Sequence, residues 1–239
     1  MIITKRIALV FLNLIITANL FSQTGSADLS AEKIIEQSIT AMGGREYLAS
    51  IKTLYSEIST EMQGRKVVWV TKEMLPNKGA FQIVYETGVV FENWYDGTTG
   101  YEMVNGKKQL ADPAEFKDKI YRKNIFNELD FLDKSLYTLE LLGEEKVNKE
   151  SCYKIKASLK NGAVKLLYFS KKTFLLMRED KSDNPEKDAF TSAYFLKYKK
   201  YGQLLFYSEL KFGDNNQFQT GKVTTLLVNE GITEADFTK

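Results

Sequence analysis

The feature that most constrains the fold is a series of strand-like segments between short turn signals, which runs from residue 51 to residue 228. Within these segments apolar and polar residues alternate with the two-residue period of a strand. Asn105-Gly106 and Asn161-Gly162 are typical of tight hairpins, and short connections make neighbouring strands antiparallel. Roughly a dozen such segments predict a strongly curved, mainly β sheet, as in a sandwich or a barrel.

Two segments have helical rather than strand periodicity. Residues 31–42 repeat isoleucines on one helical face and end at a glycine pair. A second helix is predicted from Pro113, with Asp112 as its cap, to about Lys134, with at most one break. Its apolar stripe includes Phe116 and Ile120, and its other face is predicted to carry the charged residues of the segment.

The N-terminal residues have the layout of a secretory signal peptide. Lys5 and Arg6 precede an apolar run over residues 7–21, and a small polar stretch follows. The run is shorter than the roughly 20 apolar residues of a spanning helix, although an uncleaved anchor remains an alternative. We expect residues 1–23 to be removed near Ser22 or Gln23, which leaves residues 24–239 as a single domain exported to the periplasm. No cysteine lies near the cleavage region, so we do not expect a lipoprotein.

Composition limits the possible functions. The chain has no histidine and one cysteine, Cys152, which removes the common Ser-His-Asp and Cys-His catalytic sets, the usual zinc sites and any intrachain disulfide. Without residues 1–23 the chain has 31 basic and 31 acidic residues, and this balance argues against nucleic acid as a partner. We therefore expect no enzymatic activity, no cofactor and no metal.

The aromatic content suggests what the sheet encloses. The chain has 15 Phe, 13 Tyr and 2 Trp. A barrel of roughly a dozen strands is wider than the eight or so strands whose side chains can fill an interior, so a helix or a ligand must occupy the remaining space unless the sheet flattens. The aromatic residues either fill the core or line a cavity. The candidate cavity-lining residues are Trp69, Phe81, Tyr85, Phe91, Trp94, Phe116, Ile120, Tyr168 and Phe195.

The end of the chain resembles a closing element. Residues 223–228 are strand-like, Gly231 permits a sharp turn, and a single large aromatic residue, Phe237, follows. Chain ends are usually loose unless packing holds them. We expect Phe237 to fix this end by packing under the edge of the sheet or under the helices.

Several stretches together resemble one family. They are AMGGREYLASIKTL, in which the first helix ends at the glycine pair, the hairpin WYDGTTGYEM, the strand end YFS at residues 168–170, and the closing VTTLLVNEGITEADF. From about residue 28 to residue 237 the chain resembles the LolA-like outer-membrane lipoprotein-sorting proteins, which are periplasmic lipoprotein carriers, in the divergent form found in Bacteroidetes.

The resemblance implies a fold and a function. The fold would be a half-open antiparallel β-barrel, lidded or plugged by the N-terminal helix and the internal helix around a hydrophobic cavity. The function would be that of a soluble, monomeric periplasmic carrier or chaperone for lipid or lipoprotein acyl chains, with donor and acceptor proteins at the inner or outer membrane. The alternative is a non-catalytic envelope binding or scaffold module of the same fold, whose own side chains fill the cavity.

Overall fold

The protein is built on one curved antiparallel sheet of 13 strands. The structure, a computed structural model, describes residues 29–182, 190–214 and 217–238; the expected signal peptide lies outside these residues. The strands are β1 (Thr53–Met62), β2 (Arg65–Met74), β3 (Lys78–Tyr85), β4 (Gly88–Tyr95), β5 (Gly100–Val104), β6 (Lys107–Leu110), β7 (Tyr137–Val147), β8 (Glu150–Leu159), β9 (Val164–Ser170), β10 (Leu176–Ser182), β11 (Thr191–Tyr201), β12 (Leu204–Asp214) and β13 (Gln217–Val228).

The strand order explains why the sheet is open. It runs β6-β5-β4-β3-β2-β1-β13-β12-β11-β10-β9-β8-β7, so β1 and β13 pair at the centre while β6 and β7 form the two free edges. The predicted half-open antiparallel barrel is confirmed. The strand that the sequence did not reveal is β6, whose four residues, KKQL, are all exposed and lack apolar alternation. The predicted turn at Asn105-Gly106 has positive φ at both residues, as a type I′ hairpin requires.

The N-terminal helix forms as predicted. Helix α1 (Ala31–Met42) is capped by the Ser30 hydroxyl, which accepts a hydrogen bond from the Lys33 N–H, and it ends at Gly43, where φ is 140°. Ile34, Ile35 and Ile39 are buried against the sheet. A short helix, α2 (Arg45–Ser50), leads into β1. We call the sheet face that carries α1 the inner face.

The internal segment is not the nearly continuous helix predicted from the sequence. Residues 113–131, which we call the lid segment, form helix α3 (Pro113–Phe116), a 3₁₀ turn (Lys119–Tyr121) and helix α4 (Asn127–Phe131). The Arg122 guanidinium donates to the backbone oxygens of Asn124 (3.1 Å) and Ile125 (2.5 Å), and Phe126 is extended. Because a side chain satisfies these carbonyls, the backbone can leave the helical path there.

The C-terminal segment packs on the outer face rather than under the edge or the helices. Glu234–Phe237 form a 3₁₀ turn, and Phe237 is fully buried against Ala80 and Trp94. An ion pair between Lys72 and Asp236 holds the same turn to β2. Phe237 therefore fastens the end of the chain to the outer surface of the sheet.

The largest buried cluster lies on the inner face, between α1, the lid segment and the strands β7–β12. The charged stretch at residues 179–188 was predicted to be an exposed loop, but residues 179–182 belong to β10, and Asp180 is buried beside Arg178. Residues 183–188 lie outside the described part. Among the described residues, no helix has the length and apolar character needed to cross a membrane.

Candidate functional site

A cavity of ≈ 250 Å³ lies on the inner face, between the sheet and the lid segment. Strands from both halves of the sheet contribute to it, because β1 and β2 reach it from one side and β10–β12 from the other. Its lining residues are Met42, Leu54, Ser56, Ile58, Thr71, Glu73, Arg122, Ile125, Phe126, Asn127, Glu128, Phe131, Leu176, Glu179, Phe195, Tyr198, Phe206 and Tyr207.

One wall of the cavity is aromatic. The rings of Phe206 and Tyr207 lie 4.1 Å apart between centroids, and those of Phe195 and Tyr207 lie 5.0 Å apart. Phe126 of the lid segment contacts Phe206 edge-on at 6.1 Å. These contacts make a continuous surface of π faces and edges from β11 and β12 to the lid.

The backbone at Lys197 allows two residues of β11 to share this wall. In a regular strand Phe195 and Tyr198 would face opposite sides of the sheet. Lys197 lies between them with a φ of 49°, and Phe195 and Tyr198 both line the cavity. The Tyr198 hydroxyl donates to the Leu176 carbonyl at 2.7 Å, and burial raises the pKa of Tyr198 well above its usual value. Tyr198 is therefore a neutral, fixed part of the wall.

Two acidic residues in the lining are paired with lysines. Glu73 of β2 pairs with Lys119 of the lid segment at 2.5 Å, which ties the lid to the first half of the sheet. Glu179 of β10 pairs with Lys165 of β9 at 2.7 Å. Both pairs are mostly buried, so losing one partner would leave a costly isolated charge.

Arg122 is also occupied by groups of the lid segment. Besides the two backbone oxygens, its guanidinium lies 3.6 Å from the carboxylate of Asp130, which is almost fully buried. Asp130 in turn accepts a hydrogen bond from the Asn124 side chain at 2.8 Å. Arg122 therefore holds the fold of the lid, and it reaches the cavity with most of its donors already used.

Glu128 differs from the other charged residues of the lining. Its side chain is 8% exposed, and within the described residues it forms no ion pair and no hydrogen bond to another residue. Burial raises the pKa of Glu128 above its usual value, and the nearby charge of Glu179 adds to this, whereas its own backbone N–H, Lys165 and Arg122 act in the opposite direction. The cavity lining thus contains one carboxyl group, on a nearly buried residue, that no neighbouring side chain satisfies.

A second, polar pocket of ≈ 190 Å³ adjoins the cavity and shares Arg122 and Asn127 with it. Lys181 pairs there with Asp118 at 2.9 Å, and the Asn161 amide donates to the same carboxylate. Burial raises the pKa of Asp118, but these contacts outweigh it, so the pKa lies below its usual value. Within the described residues, no group of histidine, cysteine, aspartate or glutamate side chains could hold a metal ion.

Of the nine residues proposed from the sequence, only Phe195 lines the cavity itself. Trp69, Phe81 and Phe91 form an aromatic cluster further along the inner face. Trp69 contacts Phe81 at 5.7 Å and Phe212 at 4.5 Å, and Phe91 lies 6.2 Å from Phe81. This cluster continues the cavity wall, because Trp69 pairs in register with Ile58, which lines the cavity.

Three other proposed residues lie away from the cavity but near the inner face or its rim. Phe116 stacks on Tyr95 at 5.5 Å, and it lines a separate apolar pocket of ≈ 280 Å³ together with Ile120. Ile120 is 58% exposed, so it does not point under the lid. Tyr85 lies at the end of β3, where the Arg65 guanidinium is 5.4 Å from its ring.

Trp94 and Tyr168 lie on the outer face. Trp94 pairs in register with Ala80 and packs against Phe237. Tyr168 lies between Leu167 and Phe169, which fill the inner core, so strand alternation turns Tyr168 outward to the Arg178 guanidinium, 4.9 Å from its ring. The structure does not bring either residue to the cavity.

The sequence prediction missed Arg122 and Glu128, which it placed on the outward, charged face of a continuous helix. The helix breaks between residues 121 and 127, and the rotation of the chain there turns Glu128 inward. No pattern in the sequence indicated this, because both residues fit the solvent side of the expected stripe. Tyr207 was also missed, since a regular β12 would turn it away from its neighbour Phe206.

The curved sheet, its open edge and its helical cover define a LolA-like open barrel. A LolA superfamily protein from Nitrosomonas europaea is similar to this chain with a TM-score of 0.60 and 11% identity, over 88% of this chain and 98% of that one. A putative outer membrane lipoprotein-sorting protein domain from Vibrio parahaemolyticus has a TM-score of 0.57 and 14% identity, over 86% and 95% of the two chains.

A DUF1329 family protein from Desulfovibrio piger has a similar TM-score of 0.57, with 17% identity over 85% of this chain and 95% of that one. No family model matches the sequence, and no curated protein matches it. At such low identity the similarity is one of fold, and the predicted LolA-like architecture is confirmed at that level.

Proposed function

We propose that this protein is a carrier or chaperone that shields an apolar chain of a lipid or a lipoprotein in the cavity of the inner face. The observation that carries the proposal is the half-open cavity itself, with an aromatic and aliphatic wall and a cover made of short, separate helical pieces. The outer-membrane lipoprotein-sorting type of function is supported by the fold shared with a protein of that description.

The size of the cavity limits what can bind without rearrangement. An engineered apolar cavity of about 150 Å³ takes benzene, so by proportion ≈ 250 Å³ accommodates roughly ten carbon atoms. Burial of that many methylene groups yields about 8 kcal/mol before the costs of binding. A longer chain requires the lid segment to move outward, and Phe126 and Phe131 would then lose their buried contacts. The return of these two rings would favour release of the ligand.

The place of action and the partners belong to the same proposal. We propose that residues 1–23 direct export to the periplasm, that residues 24–239 act there as one monomeric domain, and that the chain performs no catalysis. The ligand would be exchanged with donor and acceptor proteins at the inner or outer membrane. The shared fold supports this proposal, together with the N-terminal sequence layout.

A scaffold or binding module with a self-filled cavity is the second candidate. Two observations favour it. The lid contributes Phe126 and Phe131 to the lining, and the remaining space is below the roughly 300–1,000 Å³ of most ligand pockets. In that case an exposed face of the sheet, rather than the cavity, would contact the partner.

A pair of serines on β1 distinguishes the two functions. Ser56 lines the cavity, whereas Ser59 lies on the opposite face of the same strand. We expect protein purified after expression of the full chain to contain extractable lipid by mass spectrometry and to bind a fluorescent fatty acid. Ser56→Phe should weaken that binding about tenfold, and Ser59→Phe should leave it within about twofold, because only the first ring occupies the cavity. Lipid-free protein that ignores the probe would support the scaffold.

A further inference from the structure

Among the described residues, Glu128 is the one charged residue of the cavity lining whose side chain is not paired with another residue. A carboxylate in a nearly buried position is costly to the fold when no cation and few donors compensate its charge. Glu128 is more than nine-tenths buried and lies in the wall of a cavity large enough for an organic molecule. A ligand that supplies a positively charged donor would explain why the side chain is there.

The charged groups around Glu128 leave an excess of negative charge. On β9 and β10, Lys165 is taken by Glu179. On the lid, Arg122 is taken by Asp130 and two backbone oxygens. Each neighbouring cation thus already has another acceptor, and the ionised forms of Glu128 and Glu179 repel each other. A positive charge is what this part of the cavity lacks.

The aromatic wall beside Glu128 also favours a positive charge. Tyr198 and Tyr207 are near enough that the charge of Glu128 contributes to the rise in their pKa values. Tyr207 is in turn flanked by the rings of Phe195 and Phe206. Aromatic faces attract ammonium groups most strongly where water is excluded. These rings and the two carboxylates would therefore attract the same ammonium group.

We propose that the cavity binds an amphiphile whose head group is a protonated amine, with Glu128 as its counter-ion, Glu179 as a second acceptor and the apolar chain along Leu54 and Ile58. This inference rests on the proposed function, since it names the class of apolar ligand. The ammonium would donate to Glu128 and lie against Tyr207, while the apolar walls from α1 and β1 take the chain.

An anionic head group fits less well. A carboxylate or phosphate in the cavity would face Glu128 and Glu179, and Arg122 could serve it only by giving up Asp130, which would remain buried without its partner. In the adjoining polar pocket, Lys119 and Lys165 are already paired with Glu73 and Glu179. An uncharged alcohol could donate one hydrogen bond to Glu128 but would not neutralise it.

Three probes with the same chain test the head group directly: decylamine, decanol and decanoate. Their chain of ten carbons matches the capacity estimated for the cavity. Titration calorimetry at pH 7 should give tighter binding of decylamine than of decanol by about tenfold, a difference of about 1.4 kcal/mol. Decanoate should bind more weakly than decanol.

Two variants test whether Glu128 causes the preference for decylamine. Glu128→Gln keeps the shape of the side chain and removes its charge, so it should abolish the advantage of decylamine while leaving decanol within about twofold. Glu140→Gln, at an exposed position on β7, should change none of the three affinities. Thermal unfolding of each variant confirms that it is folded before titration.

Three results would overturn the inference while leaving the carrier function in place. They are equal binding of decanol and decylamine, tightest binding of decanoate, and an unchanged decylamine preference in Glu128→Gln. If none of the three probes binds the wild-type protein, the carrier function and the inference fail together.

Discussion

In the strands β7–β12 the largest set of buried side chains lies on the inner face, whereas in β3 and β4 the best-buried ring, Trp94, lies on the outer face. The first region packs under α1 and the lid, with Leu167 and Phe169 fully buried. The second is covered from outside by the C-terminal turn. The inner-face ring of Phe81 on β3, like that of Trp69 on the neighbouring β2, is only partly buried.

The difference shows where the molecule can adapt. Side chains packed to crystal-like density resist displacement, whereas partly exposed rings can change rotamer at little cost. In the proposed carrier, a longer ligand would therefore extend along the inner face of β2–β4, while β7–β12 would keep the shape of the barrel. Because the C-terminal turn packs on the outer face of β3 and β4, the inner face of these strands is left without a cover of its own.

The largest expected effect is on the packed inner face. Phe169→Ala should lower the free energy of unfolding by about 3–5 kcal/mol, because it leaves a cavity under α1. Phe81→Ala, on the inner face of β3, should cost about 1 kcal/mol, because its ring is partly exposed. Urea denaturation measures both. Equal losses would show that the two inner faces are packed alike.

A smaller effect is expected on the outer face. Phe237→Ala should lower the free energy of unfolding by about 3 kcal/mol, since it removes the ring that covers Trp94. Hydrogen exchange should then accelerate in β3 and β4 but not in β8 and β9. Thr238→Ala, at an exposed neighbouring position, is the control and should leave exchange unchanged. Uniform acceleration across the sheet would contradict the separate fastening of the first half.

The next effect depends on pH. The pKa of Glu128 is raised by burial above its usual value of 4.5, so the folded state favours the protonated form. Its contribution to stability is complete below the unfolded pKa and is lost as the pH rises through the folded pKa. Glu128→Gln should remove this loss. The stability of the variant relative to the wild type should therefore rise between pH 5 and pH 8, by on the order of 1 kcal/mol.

Carboxylates whose pKa values are lowered do not interfere in that range. Asp133, whose pKa is held at about 2 by Lys123 and Ser135, loses its contribution only as the pH falls below its usual value of 3.8. Urea unfolding of the wild type, Glu128→Gln and the exposed control Glu140→Gln at pH 5 and pH 8 measures the difference. Parallel stabilities for all three proteins would show that Glu128 reaches water.

The smallest effect is expected at Ile120. The continuous-helix prediction put this residue in the cavity, where an aspartate would be very costly. In the structure Ile120 is 58% exposed, so Ile120→Asp should change the free energy of unfolding by no more than about 0.5 kcal/mol. Phe126→Asp, at a buried position of the lid segment, is the matched contrast and should be severely destabilising. A large loss of stability for Ile120→Asp would indicate that Ile120 is buried, as the continuous-helix prediction requires.

The sequence predicted the sheet well because its signals are local. Turn residues such as Asn105-Gly106 determine where a strand ends, and the isoleucines of α1 determine which helix face is buried. Alternation also indicated which residues of a regular strand share a side, but it failed in β11, where Phe195 and Tyr198 both line the cavity. It did not show which side is the inside, so Trp94 and Tyr168 were assigned to the cavity although they lie on the outer face.

The lid was harder to predict because tertiary contacts determine its path. The pairing of Arg122 with Asp130 and two backbone oxygens interrupts the helix, and the phase of every later residue then changes. Glu128 consequently turns from the solvent side to the cavity. A helical stripe can be extrapolated only as far as the backbone remains helical.

The pairing of β1 with β13 also has a consequence for the order in which the chain can fold. The Lys52 N–H donates to the side-chain oxygen of Asn229 at 2.6 Å, across a sequence separation of 177 residues. The centre of the sheet therefore cannot form until synthesis has reached β13. Such long-range pairing makes folding slow. For a chain exported as proposed, this delay would keep the barrel unfolded during translocation across the membrane. The sheet would then assemble in the periplasm.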